Sequence, residues 1–168
     1  MKAIGAALVV AGAALLGHLA ASERERRVRE LDGLLYGLNL LETEVVFGLT
    51  MLPIALERAA QGGSGAGALF STAARELRKG SGAAKAWVAG IRALERRSAL
   101  KEGDMMPLLY LGGTIGLSSA QDQSRHLQLA RRQIEARLEA ERRRLPQVAR
   151  LVRALGLCGG LAAALMLV

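Results

Sequence analysis

Apolar residues spaced three and four apart constrain this chain more than anything else in it. Leu31, Leu34, Leu38, Leu41 and Val45 fall on one helical face, and Leu35, Leu40 and Val46 widen it. A helix with such a stripe must bury that side against partners. Asp32, Glu42 and Glu44 are expected outside the stripe. The pattern stops at residues 48–53, Gly-Leu-Thr-Met-Leu-Pro. There Gly48 suits a helix C-cap, Thr50 can cap the next helix, and Pro53 is tolerated in that helix's first turn. Leu52, Leu56 and Ala59 then make a short second stripe, so two helices joined by a tight turn are expected. No segment alternates with period two, and aromatics are only 3% of a chain that is 51% hydrophobic. That mixture suits close-packed helices and disfavours sheets. The expected fold class is all-α, a six-helix bundle between N-terminal and C-terminal transmembrane helices.

The two ends carry the membrane argument. Residues 3–21 are almost wholly apolar and would span about 28 Å as a helix, close to the hydrocarbon thickness of a bilayer. A cleaved signal peptide is disfavoured, because the only early cation is Lys2 and no A-x-A site follows His18. At the other end, residues 154–168 alone reach about 22 Å, and Val148 to Arg153 extend them if Arg150 and Arg153 snorkel. Gly156, Gly160 and Ala164, with Ala13, Gly17 and Ala21 in the first segment, would let the two anchors pack closely. The expected domains are 1–21 as first anchor, 22–146 as bundle, and 147–168 as second anchor, with Pro146 breaking the helix between the last two.

The net charge of +8 is unevenly placed. From Leu31 to Ala120, nine Lys or Arg nearly balance eight Asp or Glu. The excess lies in Arg24–Arg29 and Arg125–Arg153, beside the apolar ends, as the positive-inside rule expects of cytoplasmic flanks. A nucleic-acid surface would carry its cations among aromatics on the folded domain. Tyr36, Trp87 and Tyr110 show no such interleaving, so no nucleic-acid partner is expected.

The remaining elements follow from local signals. Gln61 to Gly67 is rich in glycine, but no strand precedes it and no Gly-Lys-Ser/Thr closes it, so it reads as a loop rather than a phosphate cradle. Leu69, Phe70, Ala73, Ala74 and Leu77 make a helical stripe that Gly80 ends. Ser81 can cap a helix whose buried side is Ala83, Ala86, Trp87, Ile91 and Leu94. Trp87 is expected in the core with its indole N–H near a polar partner. Asp104 caps or precedes the next helix, with Pro107 in its first turn. The sixth helix is expected from Ala120 to Leu145, capped by Ser118 or Ser119. Its core side is Leu127, Ala130, Ile134 and Leu138, with Arg131, Arg132 and Glu135 in water.

Catalytic and metal chemistry finds little support. The lone Cys158 lies in the second anchor, which excludes a disulfide framework or a cysteine zinc site. Asp122 and His126 are four apart on one helix face and would need further ligands from elsewhere to hold a metal. Glu42 and Glu44 are two apart and point to different sides, a poor acid/base pair. No cofactor is expected, and the chain reads as a non-enzyme.

Two stretches carry a resemblance to a known family. Residues 41–56, LETEVVFGLTMLPIAL, and 111–127, LGGTIGLSSAQDQSRHL, closely resemble the stage III sporulation protein AB family. Phe47, Met51, Ile54, Ser119 and Arg125 depart from the usual pattern, Phe47 and Arg125 conservatively. That family is similar to the cytoplasmic domain of the platform protein of type II secretion and pilus systems. The resemblance implies a multi-pass protein of the mother-cell membrane around the forespore, with its bundle facing the cytoplasm. It further implies a secretion-like channel, other stage III sporulation proteins as partners, and a neighbouring cytoplasmic ATPase. Since a platform usually has two such domains, homo-oligomerisation is expected here. On the two matching stretches, Glu42, Glu44, Thr50, Pro53, Asp122 and His126 are the candidate partner-binding residues. The competing expectation is a membrane-anchored sensor or ligand-binding module, which would need a pocket with converging polar groups.

Overall fold

The computed structural model describes residues 2–62, 65–116 and 120–165, without side chains for most of residues 2–20 and all of 145–165. The described residues form six α-helices and no strand. They are α1 (Lys2–Glu42), α2 (Leu52–Ala59), α3 (Gly67–Arg78), α4 (Ala83–Glu95), α5 (Glu102–Gly112) and α6 (Ala120–Leu165). Arg27–Glu139 is one compact unit, and the chain before and after it forms a second. Among the described residues no helix is long and apolar enough to cross a membrane. Most side chains of the two expected anchors, including His18, Cys158 and the glycine stripe at 156–160, lie outside the described residues, as do Ser118 and Ser119.

Within Arg27–Glu139 the stripes of the sequence become the core. Leu31, Leu34, Leu38 and Leu41 of α1 are fully buried, and so are Leu56 of α2, Leu69 of α3, Leu108 of α5 and Ile134 of α6. Each such side chain contributes about 1.5–3 kcal/mol relative to exposure. Two aromatics centre the packing. Phe70 and Trp87 meet edge to face with ring centroids 6.1 Å apart, a geometry the ring quadrupoles favour. Phe70 lies over Gly37 of α1, where an added Cβ would run into its ring. At Gly90 the α4 backbone approaches the Leu69 carbonyl so closely that a Cβ would collide with it. The expected indole partner exists, since Trp87 Nε1 donates to the Leu108 carbonyl at 2.7 Å.

Several local expectations are corrected. α6 does not end at Leu145; it continues through Pro146 to Leu165. Proline removes one backbone bond, at about 3 kcal/mol, and a helix of 46 residues keeps its remaining bonds on both sides. Pro107 lies inside α5 rather than in its first turn, because that helix begins earlier, at Glu102. Ser81 makes no capping bond at α4, whose N-cap is Gly82. Gly80, at φ 88, does end α3 as expected. Asp104 is more than a cap. Its carboxylate accepts the Lys101 amide at 2.8 Å, and Arg27 grips both its oxygens, at 2.8 and 3.0 Å. Arg137 of α6 stands 3.6 Å away, so one buried carboxylate ties α1, α5 and α6.

Candidate docking surface

The junction of α1 and α2 departs from regular geometry, and four of the six candidate residues lie there. Past Glu42 the chain widens into a π-helical turn, Thr43–Phe47, closed by the Gly48 amide donating to the Thr43 carbonyl at 2.9 Å. Such turns are rare and concentrate at functional positions. Gly48 is the C-cap, as expected, but not in the left-handed conformation common to glycine there, for its φ is −80. The next residue, Leu49, takes the left-handed conformation instead, with φ 47. A non-glycine residue there costs about 1–2 kcal/mol. Gly48 is needed for space, because a Cβ would sit 2.9 Å from the Glu44 carbonyl oxygen.

Glu44 holds this turn. Its carboxylate accepts Thr50 Oγ1 at 2.7 Å and Arg58 Nη1 at 2.6 and 2.8 Å. Its own carbonyl accepts the Thr50 amide at 2.9 Å. The Arg58 hydrogen bonds, then the Thr50 hydroxyl, hold the Glu44 carboxyl below its ordinary value. Thr50 therefore does not cap α2: the N-cap is Met51, and the threonine hydroxyl turns back to Glu44. Pro53 sits at the start of α2 as expected, partly buried. The result is a fixed turn that presents its apolar side chains to water. Phe47, Leu49 and Met51 are 77%, 82% and 70% exposed.

Glu42 goes elsewhere. It was expected on the polar side of α1, yet it is buried against α6. Gln128 Nε2 and Ser124 Oγ donate to Oε1 at 2.9 and 3.0 Å, and Arg131 Nη1 donates to Oε2 at 2.6 Å. Burial raises its carboxyl pKa, but the bonds from Gln128, Arg131 and Ser124 outweigh this and leave it lowered. Arg131, expected in water, is drawn into this clasp. Glu42 and Glu44 do point to different sites, as their spacing requires. The clasp also joins the two stretches that carry the family resemblance, through Glu42 on one and Ser124 on the other.

Asp122 and His126 stay exposed on α6. His126 is two residues beyond Ser124, about 200° around the helix, so it faces away from Glu42. It borders a recess with Tyr110 and Leu129. The candidate residues thus fall into three places rather than one: Glu44, Thr50 and Pro53 at the turn, Glu42 inside, and Asp122 with His126 on α6. Sequence reasoning missed Arg58, Ser124, Gln128 and Arg131. The last three were detectable, because polar residues at i, i+4 and i+7 make a stripe along α6. Arg58 had no comparable signal, since only the turn brings it to Glu44. Among the described residues no three of His, Cys, Asp and Glu gather as a metal site.

With six helices, internal polar clasps and an exposed apolar turn, the described residues form a domain of the all-α class. Comparison with known proteins names the group. The chain belongs to the stage III sporulation protein AB family, whose model matches residues 2–168. Stage III sporulation protein AB of Bacillus subtilis (strain 168) is 29% identical over 172 residues, which cover 99% of each chain. A solved structure of stage III sporulation protein AB superposes with a TM-score of 0.66 at 27% identity, covering 71% of this chain and 96% of that one. The family resemblance noted for residues 41–56 and 111–127 therefore extends over the whole chain.

Proposed function

We propose that this chain serves endospore formation as a non-enzymatic membrane platform in a secretion-like channel complex. In this reading residues 1–21 and 147–168 are its anchors, and the Arg27–Glu139 bundle faces the cytoplasm of the mother cell. The α1–α2 turn docks a cytoplasmic secretion-type ATPase, while other stage III sporulation proteins and further copies of the chain complete the assembly. Family membership supports the sporulation role. The observation that carries the docking step is the exposed trio Phe47, Leu49 and Met51 on a turn fixed by Glu44, Thr50 and Arg58. Clustered exposed apolar side chains mark interaction sites, where single ones do not.

The test is Phe47→Ser with Met51→Ser in sporulating cells, scored by heat-resistant spores and by membrane recruitment of a fluorescent ATPase. Because both side chains are mostly in water, the bundle should melt as wild type while recruitment and spore yield fall together. Normal recruitment with a normal spore yield would remove the turn from the docking reaction. The anchors are tested separately, with Cys158→Ser and one new cysteine at the exposed Ser71. Protection of that thiol from an impermeant reagent in intact cells is the expected result, and labelling would place the bundle outside.

A further inference from the structure

The α5 helix is apolar on more sides than a bundle helix requires. Residues 105–111, Met-Met-Pro-Leu-Leu-Tyr-Leu, run without a polar break, and a helix apolar all round is one with neighbours all round. Its inner side has them, for Met105, Pro107, Leu108 and Leu111 are buried. Its outer side does not: Met106, Leu109 and Tyr110 are 39%, 46% and 70% exposed. Leu129 of α6, itself 54% exposed, continues the patch. Between the two helices, Pro107, Tyr110, His126, Leu129 and Gln133 border a small recess.

The charges nearest Leu129 are both positive, although exposed Asp122 lies seven residues before it and exposed Glu102 four before Met106. Arg125 and Arg132 lie four residues before and three after Leu129, hence on its side of α6. Both are exposed, and among the described residues neither enters an ion pair. We propose that the α5–α6 face receives an amphipathic helix of a partner protein. Its apolar side meets Tyr110 and Leu129, and its acidic margin meets Arg125 and Arg132. A helix laid in an apolar groove with one residue seated in a recess is a recurrent recognition mode. A second copy of this chain fits poorly, because two-fold pairing about Leu129 sets arginine against arginine, and like charges across an interface are costly. A bilayer would match the charge and the apolar patch but leave the recess unfilled. This face is separate from the α1–α2 turn, so neither proposal depends on the other.

The experiment uses the full chain in detergent micelles and two fluorescent synthetic helices sharing a leucine stripe, one with Glu margins and one with Lys margins. The Glu-margined helix is expected to bind about tenfold tighter than the Lys-margined one, from complementary rim charge and desolvation. Tyr110→Ser with Leu129→Ser should cost about tenfold of that affinity, and Arg125→Glu with Arg132→Glu should reverse the preference. All four positions are exposed, and unchanged melting temperatures would show that the variants fold. Equal binding of the two helices, or binding of neither, overturns the proposal. So does a disulfide between copies bearing Leu129→Cys, which gives the face to a second copy. Binding to phosphatidylglycerol vesicles that the same double variants abolish gives it to a membrane, and also overturns the proposal.

Discussion

Asp104→Asn tests a buried electrostatic contact that joins three helices of the bundle. The Asp104 side chain is fully buried, and the Arg27 side chain that grips it is only 11% exposed. Asparagine keeps the shape and removes the charge that Arg27 grips, with Arg137 still close by. Breaking a buried pair at one partner costs about 3–5 kcal/mol. Taking the lower figure, because asparagine retains one acceptor, and about 4 °C per kcal/mol for a unit of roughly this size, the melting temperature should fall by about 12 °C at pH 7. The pH dependence is the sharper test. Burial raises the Asp104 carboxyl pKa, but hydrogen bonds from Arg27 and Lys101, with the Arg27 and Arg137 charges, lower it below the ordinary 3.8 overall. A carboxyl with a lowered folded-state pKa contributes stability that is fully present above the unfolded value and lost as pH falls through the folded one. The gap between wild type and Asp104→Asn should therefore hold from neutral pH to about 5 and then close toward acid. Glu42 and Glu44 titrate in both proteins and cancel in the difference. Thermal unfolding by circular dichroism from pH 7 to pH 2 measures it. A gap below about 1 kcal/mol at pH 7, the scale of an exposed pair, or a gap unchanged in acid, would refute the reasoning.

Two further outcomes bear on the core and the turn. Trp87→Phe removes the indole donor to Leu108 and part of a buried ring, so it should destabilise by about 2–3 kcal/mol; a melting temperature within 2 °C of wild type, small against the expected shift, would deny that bond its weight. Leu49→Asn should stabilise by about 0.5–1 kcal/mol, because asparagine tolerates the left-handed backbone and the leucine it replaces is 82% exposed. The same variant should lower the yield of heat-resistant spores, and normal yields in the stabilised variant would deny Leu49 a part in docking.

The bundle was legible in the sequence because period 3.6 burial is a local signal. Leu31, Leu34, Leu38 and Leu41, or Leu127, Ala130, Ile134 and Leu138, each identify a buried face without knowledge of any other helix. Polar residues were less legible, because their role depends on what the fold brings to them. Glu42 looks like a solvent residue until Ser124, Gln128 and Arg131 arrive from a helix more than eighty residues later. Asp104 reads as a cap, and it is one, but its larger partner is 77 residues away at Arg27. Thr50 has the right identity for a cap, but the π turn redirects its hydroxyl to Glu44, while Gly48 does cap that turn. Pro146 misled for a related reason, since proline is a local breaker whose cost a long helix can absorb.

Where local rules fail, the failures cluster, and that clustering separates stability from use. A sequence that folds cleanly violates such rules mainly at sites under another demand. Here the π turn, the left-handed Leu49 and three of the most exposed large apolar side chains all fall within residues 43–51. Glu44, Thr50 and Arg58 then hold that turn in one shape, which spares a partner the entropy of ordering it. None of these features increases burial, and the left-handed leucine opposes stability. The outer face of α5 repeats the pattern without strain: apolar area beyond what the core requires, beside arginines with no carboxylate of their own. A bundle selected for stability alone would put glycine or asparagine at position 49 and polar residues at 106, 109 and 110. Their absence is the physical reason for assigning both surfaces to binding.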